Sequence, residues 1–336
     1  MKESGCCESL AHDFSPTRGV LVIGSRRALN GMEQSRESVW RNMMSSPLFL
    51  ITGATGATGG NTVELLLERG YHVRAFVHQH DERSALLEKQ GVEIAVGDLL
   101  DFTTVRPALE DVSGAYFVYP IAPGLIEATA FFAQAAKEAR VPAIVNMSQI
   151  SARREAKSHA AFNHWVAERV FDWSGLAVTH LRPTFFATWF LWSPLLNMAQ
   201  QIKDGLVQLP FGESKHAPIA PEDQARLIAS ILEHPAAHTG KIYPLFGLKE
   251  YTYAEAFEKI SQILGRHITY ESISLEAYHE QMVKRGRPFV AQHIVEVAKD
   301  HAAGIFSGTD EVIEHITGQP PMDLEAYVRK HREAFE

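Results

Sequence analysis

The stretch Leu48-Phe49-Leu50-Ile51-Thr52-Gly53-Ala54-Thr55-Gly56-Ala57-Thr58-Gly59-Gly60 decides how the chain folds. Its first four residues form an unbroken apolar run of strand length, suited to a central parallel strand buried on both faces. Glycines at 53, 56 and 59 follow as G-x-x-G-x-x-G. Val63, Leu66 and Leu67 then fall at helical spacing before Gly70 stops the helix. A pyrophosphate site needs a tight turn off the strand, a backbone bare of side chains, and a last glycine that lets helix and strand approach. The anion then sits on free N–H groups at the helix N-terminus. The expectation is a dinucleotide cradle built from Gly53, Thr55, Gly56, Ala57, Thr58 and Gly59.

Working outward, strands and helices alternate. Val73–Val77 reads as a second strand whose tip is His78-Gln79-His80, with Arg83 close behind. An acid at that tip would bind ribose hydroxyls and repel a 2'-phosphate, whereas basic residues accept the phosphate. His78 and Arg83 therefore favour NADP(H) over NAD(H). Val92–Val96 is a third strand ending in Gly97-Asp98-Leu99, which places Asp98 at the adenine edge. Ala115–Pro120 is a fourth, a helix covers about 126–139, Ala143–Ser148 is a fifth strand and Val178–Arg182 a sixth. Leu99, Tyr119 and Pro183 complete the expected cofactor contacts. Right-handed crossovers make this a doubly wound parallel sheet of Rossmann type.

Several segments together resemble the NmrA-like branch of the short-chain dehydrogenase/reductase superfamily: ITGATGATGG at 51–60, GDLLD at 97–101, the strand end at Ser148 and HLRPTFF at 180–186. The resemblance runs from about residue 47 to 332, and NADPH-dependent quinone oxidoreductases and triphenylmethane-dye reductases are similar enzymes of that branch. Alcohol-oxidising members of the superfamily carry Tyr-x-x-x-Lys on the helix after the serine strand, the lysine easing proton transfer by the tyrosine. Here none of the nine tyrosines has a lysine four residues on, and the matching helix reads Ala160-Ala161-Phe162-Asn163-His164-Trp165-Val166-Ala167-Glu168. Alanine and His164 stand where that pair would be. Reduction of an isolated ketone builds a basic alkoxide that needs a proton donor. A quinone or cationic dye delocalises the arriving electrons, so positioning suffices.

The resemblance thus implies hydride transfer to a planar, electron-poor acceptor, with His164 and Ser148 as polar catalytic contacts. The alternative it implies is a non-catalytic NADP(H) sensor that binds a protein partner. Five of the nine residues from 185 to 193 are aromatic. Phe185, Phe186 and Trp189, with Phe162, are the expected walls for a flat apolar substrate; the same stripe would serve a core or a homodimer interface.

The whole chain has 336 residues and a formal net charge of -8, which speaks against a polyanion-binding surface, so nucleic acid is not an expected partner. No apolar run is long enough to span a membrane. The two cysteines, Cys6 and Cys7, are adjacent and cannot staple a fold, which fits a cytoplasmic setting. Sixteen histidines form no recognisable metal motif, so no metal is expected. Residues 1–45 show no sustained period and read as a disordered or non-native extension, with the native start near Met43-Met44. Residues 46–185 read as the Rossmann domain and 186–336 as mainly a smaller C-terminal α/β substrate lobe, with some elements at about 217–247 returning to the Rossmann domain. In that lobe, Thr252-Tyr253-Ala254-Glu255 is a capping box opening a helix, and 304–308 is expected to lie over the cleft.

Overall fold

A computed structural model describes residues 46–191 and 198–335. The expected N-terminal extension and Trp192 of the aromatic stretch lie outside the described residues. The glycine stretch becomes β1 (Leu48–Thr52) and α1 (Ala57–Glu68), followed by β2 (His72–Val77), α2 (Glu82–Lys89), β3 (Glu93–Val96) and α3 (Phe102–Ala108). Next come β4 (Gly114–Phe117), α4 (Leu125–Ala139), β5 (Ile144–Met147), α5 (His159–Ser174) and β6 (Val178–Pro183). Beyond a short 3-10 turn at Ala187–Phe190 lie α6 (Met198–Asp204), β7 (Leu206–Leu209), α7 (Pro221–Glu233) and β8 (Ile242–Leu245). The chain ends with α8 (Tyr253–Leu264), β9 (Thr269–Ser272), α9 (Leu275–Lys284), α10 (Pro288–Ala302), α11 (Val312–Thr317), α12 (Leu324–Lys330) and α13 (Arg332–Phe335).

The large sheet has the order β3-β2-β1-β4-β5-β6-β8, and every pairing is parallel. This is a Rossmann-type fold. Strand order reverses at β1, where Phe49 lies beside both Val73 of β2 and Gly114 of β4. The crevice outside the carboxyl ends of β1 and β4 is the switch point, where open sheets of this kind take ligands.

Two-residue alternation splits the strand side chains between two cores. Phe49, Ile51, Val73 and Ala75 pack with Val63 and Leu66 of α1 and Leu227 and Ile231 of α7. Leu50, Phe76, Ala115 and Phe117 pack against the other face with Val105 of α3, Phe132 of α4 and Phe171 of α5. A third core belongs to the C-terminal lobe and draws in Phe185, Phe190 and Leu191 from the segment after β6.

One sequence expectation needs correction, and one strand was not foreseen. The fourth strand stops at Phe117 rather than Pro120, because Tyr119 and Pro120 have left the ladder. The four-residue β7 escaped notice; its partner is the distant β9, in register Leu206↔Thr269, so local pattern carried little signal. The capping box is present as expected: Thr252 accepts from Glu255 N–H while the Glu255 carboxylate accepts from Thr252 N–H. Thr252→Ala should cost about 1 kcal/mol in a urea melt. A stability equal to the parent's would show that α8 needs no cap.

Candidate functional site

The turn after β1 is shaped by what its glycines lack. Gly53 has φ +61°, in the left-handed region, and Gly56 N–H donates to its carbonyl at 2.9 Å. A Cβ on Gly59 would lie 2.2 Å from the Gly53 oxygen, so only hydrogen fits where α1 crosses the turn. The N-cap of α1 is Gly56, with no side-chain cap and no acid in the first turn. Its N–H groups and dipole are thus left for an anion.

From this turn a groove of about 620 Å³ runs across the sheet edge, lined by the loop, Phe76, Val77, His78, Gly97 to Leu100, Tyr116, Val118 to Pro120, Met147 and Phe186. Gly53, Thr55, Gly56, Ala57, Thr58, Gly59, His78, Asp98, Leu99 and Tyr119 come together here. Tyr116 is one of the lining residues, and its hydroxyl is buried without a hydrogen-bond partner among the described residues. The bare glycine turn, the uncapped helix end and a groove of this volume fit a dinucleotide. Thr58 donates to Gln224 Oε1 at 3.1 Å, which ties α1 to α7 behind the cradle.

Arg83 is a correction. Its side chain is 64% exposed and forks onto the Asp81 carboxylate at 2.6 and 3.0 Å, outside the groove lining. Asp81 is the N-cap of α2 and accepts from Arg83 N–H and Ser84 N–H. These hydrogen bonds, the Arg83 side chain's first, hold its carboxyl below the usual range. The acid nearest the β2 tip is thereby held as a carboxylate paired with Arg83, outside the groove lining.

A second cavity of about 250 Å³ shares Val118, Tyr119, Pro120, Met147 and Phe186 with the groove. Its remaining walls include Ser148, Gln149, His164, Pro183, Thr184, Phe185, Trp189, His293, Val297 and Phe306. Ser148, His164, Phe185, Phe186 and Trp189 therefore meet at one place. Pro183, expected at the cofactor, faces this cavity instead. Phe162 is also a correction: it is 38% exposed and packs on Trp165 at 5.7 Å, outside the cavity. Positions i and i+2 on a helix point to different sides, so with His164 inward Phe162 must face out. Phe190 is core, not wall. Phe306, in the segment expected over the cleft, stacks on Phe185 at 4.5 Å and roofs the cavity.

The cavity is apolar with a few unpaired polar atoms. Ser148 Oγ, Gln149 Nε2 and Thr184 Oγ1 are buried without hydrogen-bond partners among the described residues. Such orphans are rare in folded proteins and convert to affinity when a ligand supplies the partner. Burial, with the neighbouring His293, pushes the His164 pKa down to about 3. His164 is therefore neutral at physiological pH and cannot supply the positive charge of a catalytic lysine. The buried Glu168 one turn on is forked by Arg182 at 2.8 and 2.6 Å, which braces α5 against β6.

Gln149, Thr184, His293 and Val297 were missed by the sequence reading. Gln149 and Thr184 directly follow the strand ends at Ser148 and Pro183, a signal that could have found them. His293 and Val297 sit on α10, about 130 residues from α5 in the chain, and local sequence carries no such pointer. Among the described residues no group of three or more His, Cys, Asp or Glu could hold a metal ion, and no helix is long and apolar enough to cross a membrane.

The chain is 29% identical over 292 residues to an NAD(P)H azoreductase of Xenophilus azovorans, covering 86% of this chain and 99% of the relative. An NADPH-dependent quinone oxidoreductase of Escherichia coli, solved with NADPH, superposes with TM-score 0.72 at 23% identity, over 84% of this chain and 99% of that one. A Citrobacter triphenylmethane reductase complexed with NADP(H) gives TM-score 0.72 at 22% identity with the same coverage. The model of the NmrA-like family matches residues 45–328, and the chain belongs to that family.

Proposed function

We propose that the protein is an NAD(P)H-dependent reductase that passes hydride to a small planar, electron-poor acceptor such as a quinone or azo compound. The observation that carries this reading is the open cavity at the end of the dinucleotide groove, walled by Phe185, Phe186, Trp189 and Phe306. A cofactor sensor without catalysis would need no such space. The nicotinamide, when bound, supplies the hydride. The chain's part is to hold the pyrophosphate on the Gly53 to Gly59 turn, to seat the acceptor flat between aromatic faces, and to exclude water with Phe306. The cavity lining contains no Tyr-Lys pair. Its volume lies just below the usual range of about 300–1,000 Å³ for ligand pockets, which favours compact flat acceptors of up to three fused rings. Names of relatives support the same class, since the azoreductase aligns over nearly its whole length.

NADP(H) is the preferred cofactor in this proposal. His78 lines the groove at the β2 tip, and no carboxylate of that tip does, because Asp81 is engaged with Arg83 and the start of α2. Titration by fluorescence should give NADPH a dissociation constant at least ~10-fold below that of NADH, about 1.4 kcal/mol. His78→Asp should erase or invert the ratio. NADPH consumption with benzoquinones, naphthoquinones and azo dyes tests the reaction. Tight NADPH binding with no turnover of any of them would abandon the reductase reading.

A further inference from the structure

His293 enters the cavity from α10, and the contacts around it are specific. Ser158, the N-cap of α5, accepts from Ala161 N–H at 3.1 Å and lies 2.7 Å from His293 Nδ1. The Ser158 side chain is fully buried, so its hydroxyl proton needs an acceptor, and His293 Nδ1 is the one offered. With Nδ1 accepting, the ring proton sits on Nε2. Nε2 has no partner among the described residues, and the ring lines the cavity. The helix carrying it is clamped to the loop before α5: Arg153 forks Asp300 at 2.7 and 2.5 Å, and Gln292 donates to the Lys157 carbonyl while accepting from His159 N–H. The ionisable groups acting on His293 are His164 from α5 and Asp300 from its own helix, the latter already paired with Arg153. Burial pushes the His293 pKa down to about 4, so the ring is a neutral donor. His164 has no comparable partner to choose its tautomer.

We propose that His293 is a substrate-binding catalytic residue that selects acceptors bearing a carbonyl oxygen, its Nε2–H donating to that oxygen, with Ser158 as the positioning residue that sets the tautomer. The assignment rests on the reductase reading and adds to it. As hydride brings its electron pair to a quinone, negative charge gathers on a carbonyl oxygen. Nε2–H stabilises that charge until the oxygen takes one proton from solvent as the product leaves, so quinone, hydride and proton give hydroquinone. The imidazole keeps its own proton throughout.

The test compares two acceptors with NADPH: 1,4-naphthoquinone, and N-methylacridinium, a flat cation that takes hydride at carbon and offers no lone pair. His293→Leu should lower kcat/KM for the quinone roughly 10- to 100-fold, and at least tenfold more than for the acridinium; His293→Gln, which keeps a donor, should restore part of it. Equal losses on both acceptors would overturn the proposal. Nitrogen-15 NMR of the wild-type protein should show His293 with Nδ1 unprotonated and Nε2 protonated at pH 7, and Ser158→Ala should mix the two forms. A protonated Nδ1 in the wild type would also overturn it. If the wild type reduces neither acceptor, the reductase reading fails. Naphthoquinone binding to the NADP+-loaded protein, followed by tryptophan quenching, then decides by itself: weaker binding in His293→Leu supports the inference, unchanged binding refutes it.

Discussion

At pH 5 the protein should be less stable than at pH 7 by several kcal/mol. Four buried histidines drive this. Burial lowers His164 to about 3, His293 to about 4 and His301 to about 4, and holds His216 well below its ordinary value. In the unfolded chain each titrates near 6.5. Below that value the unfolded state takes up protons that the native state refuses, so the stabilisation is complete above about pH 6.5 and declines as pH falls towards the folded values. Each histidine can lose up to about 2 kcal/mol between pH 6.5 and 5, at 1.36 kcal/mol per unit. Asp223 and Asp310, raised by burial, act in the opposite sense. Urea unfolding at pH 7, 6 and 5 measures the slope. A double variant, His216→Gln with His301→Gln, should show a shallower decline, because that pair, 3.4 Å apart, then carries no titration. Equal stability at pH 7 and pH 5 would refute the account.

Gly59→Ala is expected to abolish useful cofactor binding. The added Cβ would fall 2.2 Å from Gly53 O and 2.7 Å from Gly53 C, and both are backbone atoms that no rotamer change can move. The turn must open or α1 must withdraw from β1. Either displaces the N–H groups that the cradle aims at pyrophosphate. A loss of about 1–3 kcal/mol in stability is the scale for such overpacking, and NADPH affinity should fall at least ~100-fold, about 2.7 kcal/mol. Gly60→Ala is the matched control: its Cβ would meet Ala54 O at 3.4 Å, an ordinary contact, so binding should be close to the parent's. If both variants bind NADPH alike, the close crossing of α1 over the turn is not what shapes the cradle.

How much of this site could be read in advance depended on how local its cause was. Strand β1 is an unbroken apolar run from Leu48 to Ile51, and β2 and β5 are mostly apolar, because both sheet faces are covered and that burial writes itself into neighbouring residues. The glycine turn is legible for the same reason: three bare positions in seven are needed within one turn of chain. Arg83 misled because charge near the β2 tip was visible, whereas its engagement by Asp81 depends on a capping geometry that orients the fork away from the groove. Phe162 misled because aromatic content says nothing about which helix face points inward; His164 on the buried face already turned Phe162 outward.

The sequence by itself determined the parallel sheet, the bare glycine turn and the missing Tyr-x-x-x-Lys pair, since each is set by residues close together in the chain. Only the tertiary structure decided what the second cavity is. Its walls come from β5, α5, the segment after β6, α10 and the loop at Phe306, brought together by the Arg153–Asp300 fork and the Ser158–His293 contact across more than 130 residues of chain. Whether a histidine there is charged, which tautomer it holds and which orphaned hydroxyls it faces are consequences of burial and of partners distant in sequence, and such consequences exist only once the chain has packed.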